Sequence, residues 1–65
     1  MEIHDILYDL LTNENVSNDE LFDVACDYYR DIYDGQVSDV VVCSIAYDSC
    51  ADVCSEVGVC FNVNY

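Results

Sequence analysis

Acidic side chains recur at four-residue spacing along this sequence, and these carboxylates are its main candidates for functional groups. The longest row consists of Asp19, Asp23, Asp27 and Asp31, and shorter rows with the same spacing occur nearer both ends. Residues four apart are neighbours on one helical face. The spacing therefore predicts stripes of carboxylates along helices, beside the apolar stripes that would form a core.

The charge of the chain is far from balanced. Fourteen acidic residues stand against a single Lys or Arg in 65 residues, and the formal net charge is −13. A small domain needs a net charge of only about 2–8 to stay soluble. The excess favours a surface that imitates a polyanion over a merely solvated acidic face. Such a surface disfavours direct contact with nucleic acid or with anionic lipid.

The charge density of the second acidic segment is close to that of a nucleic-acid strand. Six acids lie between positions 19 and 34, which span roughly 22 Å of helix at about 1.5 Å per residue. This is about one charge per 4 Å, compared with about one phosphate per 3.4 Å along a DNA strand. A basic groove that fits a row of phosphates is therefore the expected partner.

Like charges four residues apart disfavour a helix by roughly 0.2–0.5 kcal/mol per pair. The six such pairs in the sequence are 5–9, 19–23, 23–27, 27–31, 48–52 and 52–56. Together they cost on the order of 1–3 kcal/mol, which is large for a domain of this size. Only Arg30 is available to offset this repulsion.

The cysteines and the single histidine do not form a recognisable metal or catalytic motif. An odd number of cysteines, five, without a secretory signal argues against a disulfide framework and favours free, buried thiols. Cys50 and Cys54 are four apart, and Cys43, Cys60 and His4 do not complete the paired spacing of a zinc site. We therefore expect no metal and no cofactor.

Calcium binding and catalysis have equally little support. The acids between Asp27 and Gly35 lack the spacing of an EF-hand loop, and His4 has no nucleophile in a known arrangement beside it. The sequence therefore predicts a protein that is not an enzyme.

Three helical segments are predicted to position these residues. The first has a helical apolar face from Ile3 and ends near Leu11 or Thr12. The second is predicted at 18–34, with Ser17 and Glu20 as a capping box and Gly35 as a left-handed terminator.

The third segment is predicted as a helix over 39–57, capped by Ser38 and ended by Gly58, with Val40 on its apolar face. The β-branched run at its start favours a strand near 40–46 instead, and the tail at 59–65 alternates apolar and polar residues like a strand. We predict a mostly α, small three-helix domain with an extended C-terminal arm or strand. The alternative is an α+β fold with strands near 40–46 and 59–65.

The stretch from Asn18 to Ala25, which continues into Asp27, Tyr28 and Tyr29, resembles the acidic amphipathic helices of small phage proteins that inhibit host defence. These proteins include antirestriction DNA mimics of the Ocr type and anti-CRISPR proteins. The resemblance implies a phage or mobile-element origin and a stoichiometric, non-catalytic inhibitor.

We therefore expect positions 1–65 to form a single acidic domain in the host cytoplasm. Its expected function is to block the DNA- or RNA-binding groove of a basic host defence or DNA-processing enzyme. The alternative is a protein–protein interaction module, either monomeric or homodimeric, that acts through the C-terminal strand and an aromatic strip formed by Tyr29 and Tyr33 with Phe22 and Cys26. The residues predicted to contact the partner are Asp19, Glu20, Asp23, Asp27, Asp31, Asp34, Asp48, Asp52, Glu56, Tyr29 and Tyr33.

Overall fold

The computed structural model describes residues 2–63, which contain three α-helices and an extended C-terminal arm. The helices are α1 (Ile3–Asp9), α2 (Asn18–Tyr33) and α3 (Asp39–Val57), and a π-helical segment at Leu10–Glu14 directly follows α1. The predicted mostly α, three-helix fold is thereby confirmed.

Two serines begin the long helices, as the sequence predicts. The backbone N–H of Glu20 donates to Ser17 Oγ at 3.2 Å, and the N–H of Val41 donates to Ser38 Oγ at 3.4 Å. Each serine satisfies a backbone donor that the first helical turn leaves without a partner. Gly58, with φ at +89°, ends α3 in the left-handed conformation that glycine adopts without strain.

The predicted alternative of a strand near 40–46 is wrong, because these residues lie within α3. The Ser38 cap and the long apolar face of the segment override the β preference of its three valines. That face differs from the predicted one at its start, since Val42 is buried at 2% exposure whereas Val40 is 78% exposed.

Two helix ends differ from their predicted positions. After α1 the chain widens into the π-helical segment, where the Thr12 hydroxyl donates to the Tyr8 carbonyl at 2.8 Å. At the end of α2, Asp34 already adopts a left-handed conformation (φ 48°) and Gly35 follows it (φ 79°). Helix α2 is therefore one residue shorter than predicted.

The core lies where the three helices meet, and small side chains dominate it. The buried residues of its main cluster are Leu7, Leu21, Ala25, Cys26, Ala46, Cys50, Val53 and Cys54. Small side chains allow helices to approach closely, but each buries less apolar area than a large one does. The core therefore stabilises the fold only modestly.

The C-terminal arm is held against α2 and α3 by aromatic contacts. The ring of Phe61 lies 6.5 Å from that of Phe22 and 5.0 Å from that of Tyr47, measured between centroids. The Asn18 side-chain amide donates weakly, at 3.5 Å, to the carbonyls of Cys60 and Asn62. The arm forms no strand over 59–63, and the last two positions of the predicted strand lie outside the described residues.

Candidate acidic interaction surface

Every carboxylate of the chain is exposed. All fourteen Asp and Glu residues lie within the described part of the chain, and none is buried or half-buried. The nine carboxylates predicted to contact a partner are among them: Asp19, Glu20, Asp23, Asp27, Asp31, Asp34, Asp48, Asp52 and Glu56. Such exposure leaves each of them accessible to the side chains of a basic surface.

On α2 the carboxylates occupy the face opposite the core. Leu21 and Ala25 are buried on one side of the helix. The acids on the other side share an arc of roughly 120°, calculated from about 100° of rotation per residue. We call this set the α2 acidic face: Asp19, Glu20, Asp23, Asp27 and Asp31. Asp34 lies just beyond the helix, at its C-cap.

Arg30, the only Lys or Arg in the chain, lies within the arc of the α2 acidic face. Its Nη1 is 3.6 Å from an Asp27 oxygen, and its Nε is 3.6 Å from an Asp39 oxygen. The guanidinium therefore compensates part of the acidic face and connects the end of α2 to the start of α3. The Asp39 contact depends on the turn between the helices, and sequence spacing did not reveal it.

The acidic side chains on α3 lie progressively closer to α1 toward the C-terminal end of the helix. Asp48, Asp52 and Glu56 advance around the helix by about 40° per step, because four residues exceed one turn of about 3.6. At the end of the row, Oε2 of Glu56 contacts Nε2 of His4 from the first turn of α1. Asp52 lies beside this contact, so the fold brings together three side chains with potential ligand atoms from the two helices.

The two predicted contact tyrosines have partners within the chain. The hydroxyls of Tyr29 and Ser49 are 2.7 Å apart, which links α2 to α3. The Tyr33 ring stacks on that of Tyr29, with 6.2 Å between centroids and an 18° interplanar angle. Both side chains are half-buried. Tyr29 therefore supports the helix packing, and replacing it would disturb the fold as well as any interface.

All five cysteines are free thiols, and burial makes three of them unreactive. Burial, together with the neighbouring Cys54 and Cys26 thiols, raises the pKa of Cys50 to about 12. Burial and the adjacent Cys43 raise the pKa of Cys26 to about 11, and burial also raises that of Cys54. A thiol reacts as its thiolate, so these three side chains serve as small core residues, as the sequence predicts.

No protein-family model, no curated protein and no solved structure matches this chain. Within residues 2–63, no helix combines the length and the apolar character needed to cross a membrane.

Proposed function

We propose that this protein is a stoichiometric inhibitor that mimics the charge of a nucleic acid. It would occupy the DNA- or RNA-binding groove of a basic host defence or DNA-processing enzyme, within the host cytoplasm and without catalysing a reaction. One observation carries this proposal: fourteen exposed carboxylates are opposed by a single Arg and a single His. A surface with so little compensating positive charge destabilises its own helices, which solubility alone does not require.

The α2 acidic face supplies the geometry for this function. Its carboxylates are exposed on the outward side of a continuous sixteen-residue helix. A guanidinium that normally binds a phosphate can bind a carboxylate in the same bidentate manner. The negative field of the whole protein also speeds its encounter with a basic groove at low ionic strength. Binding is therefore expected to be fast and strongly dependent on salt.

Displacement of labelled nucleic acid from purified enzymes tests the proposal directly. A fluorescent duplex is bound to each member of a panel that comprises a restriction enzyme, a CRISPR effector, a DNA-repair enzyme and an RNA polymerase. Addition of the protein is expected to release the duplex from at least one of them, measured as a fall in fluorescence anisotropy. The midpoint is expected to rise steeply as salt increases, because exposed charges are screened.

Two variants of equal net charge separate a specific surface from general charge. The first replaces Asp23, Asp27 and Asp31 with Asn, which removes three carboxylates from the α2 acidic face. The matched control removes three exposed carboxylates near α1 instead, through Asp5→Asn, Asp9→Asn and Glu14→Gln. We expect the first variant to lose at least tenfold in displacement, since hydrogen bonds between charged groups contribute about 1.5–3 kcal/mol each.

The control variant is expected to stay within about threefold of the original protein, as screening weakens distant charges. Equal losses in both variants would contradict a specific α2 surface, and no displacement from any enzyme in the panel would contradict the proposed function for those classes. Circular dichroism of each variant confirms that the helices persist.

A second candidate is an interaction module, either monomeric or homodimeric, that uses apolar and aromatic contacts. Exposed apolar side chains near the α2–α3 turn favour it, since Ile32 is 54% exposed and Val40 is exposed as well. Sedimentation of the free protein at low and high salt distinguishes the two functions. A dimer that persists or strengthens in high salt supports the module, because screening weakens like-charge repulsion between copies.

A further inference from the structure

Three potential metal ligands from two helices converge at one end of the molecule. His4 lies in the first turn of α1, and Asp52 and Glu56 lie near the end of α3. One ligand atom from each residue lies within 4.8 Å of the other two. This cluster goes beyond the proposed function, since inhibition by charge mimicry requires no metal.

The fold explains why these residues meet. Asp52 and Glu56 are four apart on α3, so their carboxylates project from the same side of the helix. Helix α1 packs against that side, and His4 Nε2 contacts Glu56 Oε2 directly. No sequence motif predicts the cluster, because His4 and Asp52 are separated by most of the chain.

The donor set differs from the other acidic groups on the surface because it contains an imidazole. Carboxylates alone suit hard cations such as Mg²⁺ and Ca²⁺, whereas an imidazole nitrogen favours Zn²⁺ and similar transition-metal ions. The α2 acidic face has no histidine and is expected to attract cations only diffusely. His4 is the only histidine in the chain, so this is the one place where such a mixed donor set is available.

The geometry is close to what a zinc ion requires. Zn–N and Zn–O bonds are about 2.0–2.2 Å long, so tetrahedral ligands lie about 3.4 Å from one another. Reaching that separation requires the more distant ligand atoms, which lie up to 4.8 Å apart, to close and the His4–Glu56 contact to open, each by about an ångström. The side chains of His4 and Glu56 are 40% and 54% exposed, so rotamer changes can produce these shifts without moving the core.

We propose that His4, Asp52 and Glu56 bind one Zn²⁺ ion or a similar divalent transition-metal ion. Water would complete the coordination of the ion, as it does at open three-ligand sites. The bound ion neutralises the repulsion between Asp52 and Glu56 and ties the start of α1 to the end of α3. Both carboxylates also belong to the predicted contact set, so metal binding would lower the charge of that end of the surface.

Calorimetric titration of the reduced protein with zinc chloride, after removal of any polyhistidine tag, tests the site. We expect one equivalent to bind and the melting temperature to rise by about 5 °C or more when zinc is well above its dissociation constant. His4→Gln and Asp52→Asn are each expected to weaken binding at least tenfold. Asp48→Asn is the matched control, since it removes one carboxylate from the same helix, and is expected to change the affinity less than twofold.

Asp52→Asn keeps the proposal testable if His4→Gln destabilises the fold, because Asp52 is not part of the His4–Glu56 contact. Equal weakening by Asp48→Asn and Asp52→Asn would overturn the site, and so would equal binding of Mg²⁺ and Zn²⁺, which indicates diffuse attraction.

The free thiols are the competing ligands. Cobalt(II) reports on them, since thiolate ligation produces intense ultraviolet charge-transfer absorption that imidazole and carboxylate ligands lack. Loss of zinc binding in Cys60→Ser, which removes the exposed thiol, would also overturn the proposal. These experiments use the isolated protein, so their outcome is independent of the proposed inhibition.

Discussion

Replacing Asp23 with asparagine removes one carboxylate from the α2 acidic face and keeps the size of the side chain. Asp23 is exposed and has like-charged neighbours four residues away on both sides, Asp19 and Asp27. It lies beyond the first turn of α2, so the helix dipole stabilises its negative charge only slightly. The intrinsic helix propensities of Asp and Asn are also similar. The substitution therefore isolates the repulsion within the stripe.

The expected effect is an increase in stability. Removing two repulsive pairs of about 0.2–0.5 kcal/mol each raises the free energy of unfolding by about 0.4–1 kcal/mol. For a domain of this size, this corresponds to an increase in melting temperature of about 2–8 °C.

Asp27→Asn provides the matched comparison. It also removes two repulsive pairs, but it breaks the 3.6 Å ion pair with Arg30. An ion pair of this exposed kind contributes about 0.3–0.5 kcal/mol. We therefore expect Asp27→Asn to stabilise the protein less than Asp23→Asn, by roughly that difference.

Urea unfolding at two ionic strengths measures both variants. At about 0.01 M salt the screening length is about 30 Å, and the full difference from the original protein is expected. At about 1 M salt the screening length falls to about 3 Å, and the difference is expected to disappear. Lower or unchanged stability of Asp23→Asn at low salt would refute the inference that the stripe repels itself, and so would an effect that persists at high salt.

Two further predictions concern the arm and the core. Phe61→Ala is expected to lower the free energy of unfolding by about 1–2 kcal/mol, because it removes two aromatic contacts. Asn62→Ala, at the exposed neighbouring position, is the control in the same urea assay. Equal effects of the two substitutions would contradict a structural role for the Phe61 ring. The contribution of the Cys50 thiol to stability is expected to be constant below about pH 9, where thiols ionise in the unfolded chain, and to fall as pH rises toward about 12, the folded pKa of Cys50. Cys50→Ala should flatten this fall, whereas Cys60→Ala should not, and identical slopes would contradict the raised pKa.

Local signals in the sequence were sufficient to predict the helices. Ser17 and Ser38 satisfy backbone donors within their own first turns, and Gly58 adopts a left-handed conformation that other residues disfavour. Each of these effects acts over about four residues, so the neighbouring sequence determines it. For the same reason the bounds of α3 agree with the prediction despite its β-branched start.

Packing between helices decided what local signals left open. At the start of α3, three successive valines point to three different sides of the helix, so the sequence does not show which of them is buried. In the folded protein Val42 is buried and Val40 is exposed. The contacts of Arg30 with Asp39 and of His4 with Glu56 join different helices. Spacing along the chain carries no information about such pairs, so the exposed stripes could be predicted from the sequence but their partners could not.

The repulsion that weakens the free protein becomes a contribution to binding when a basic partner is present. The small side chains of the core leave little stability to spare, and the six repulsive pairs cost on the order of 1–3 kcal/mol. A partner whose cations lie between the carboxylates of the predicted contact set relieves five of these pairs, all except 5–9, as added salt does. Relief of five pairs, on the order of 1–2.5 kcal/mol, strengthens binding by about 5–70-fold, without any contact beyond the charge pairs themselves. Variants that relieve the repulsion by mutation, such as Asp23→Asn, therefore lose affinity for two reasons: one charge pair is missing, and less repulsion remains for the partner to relieve.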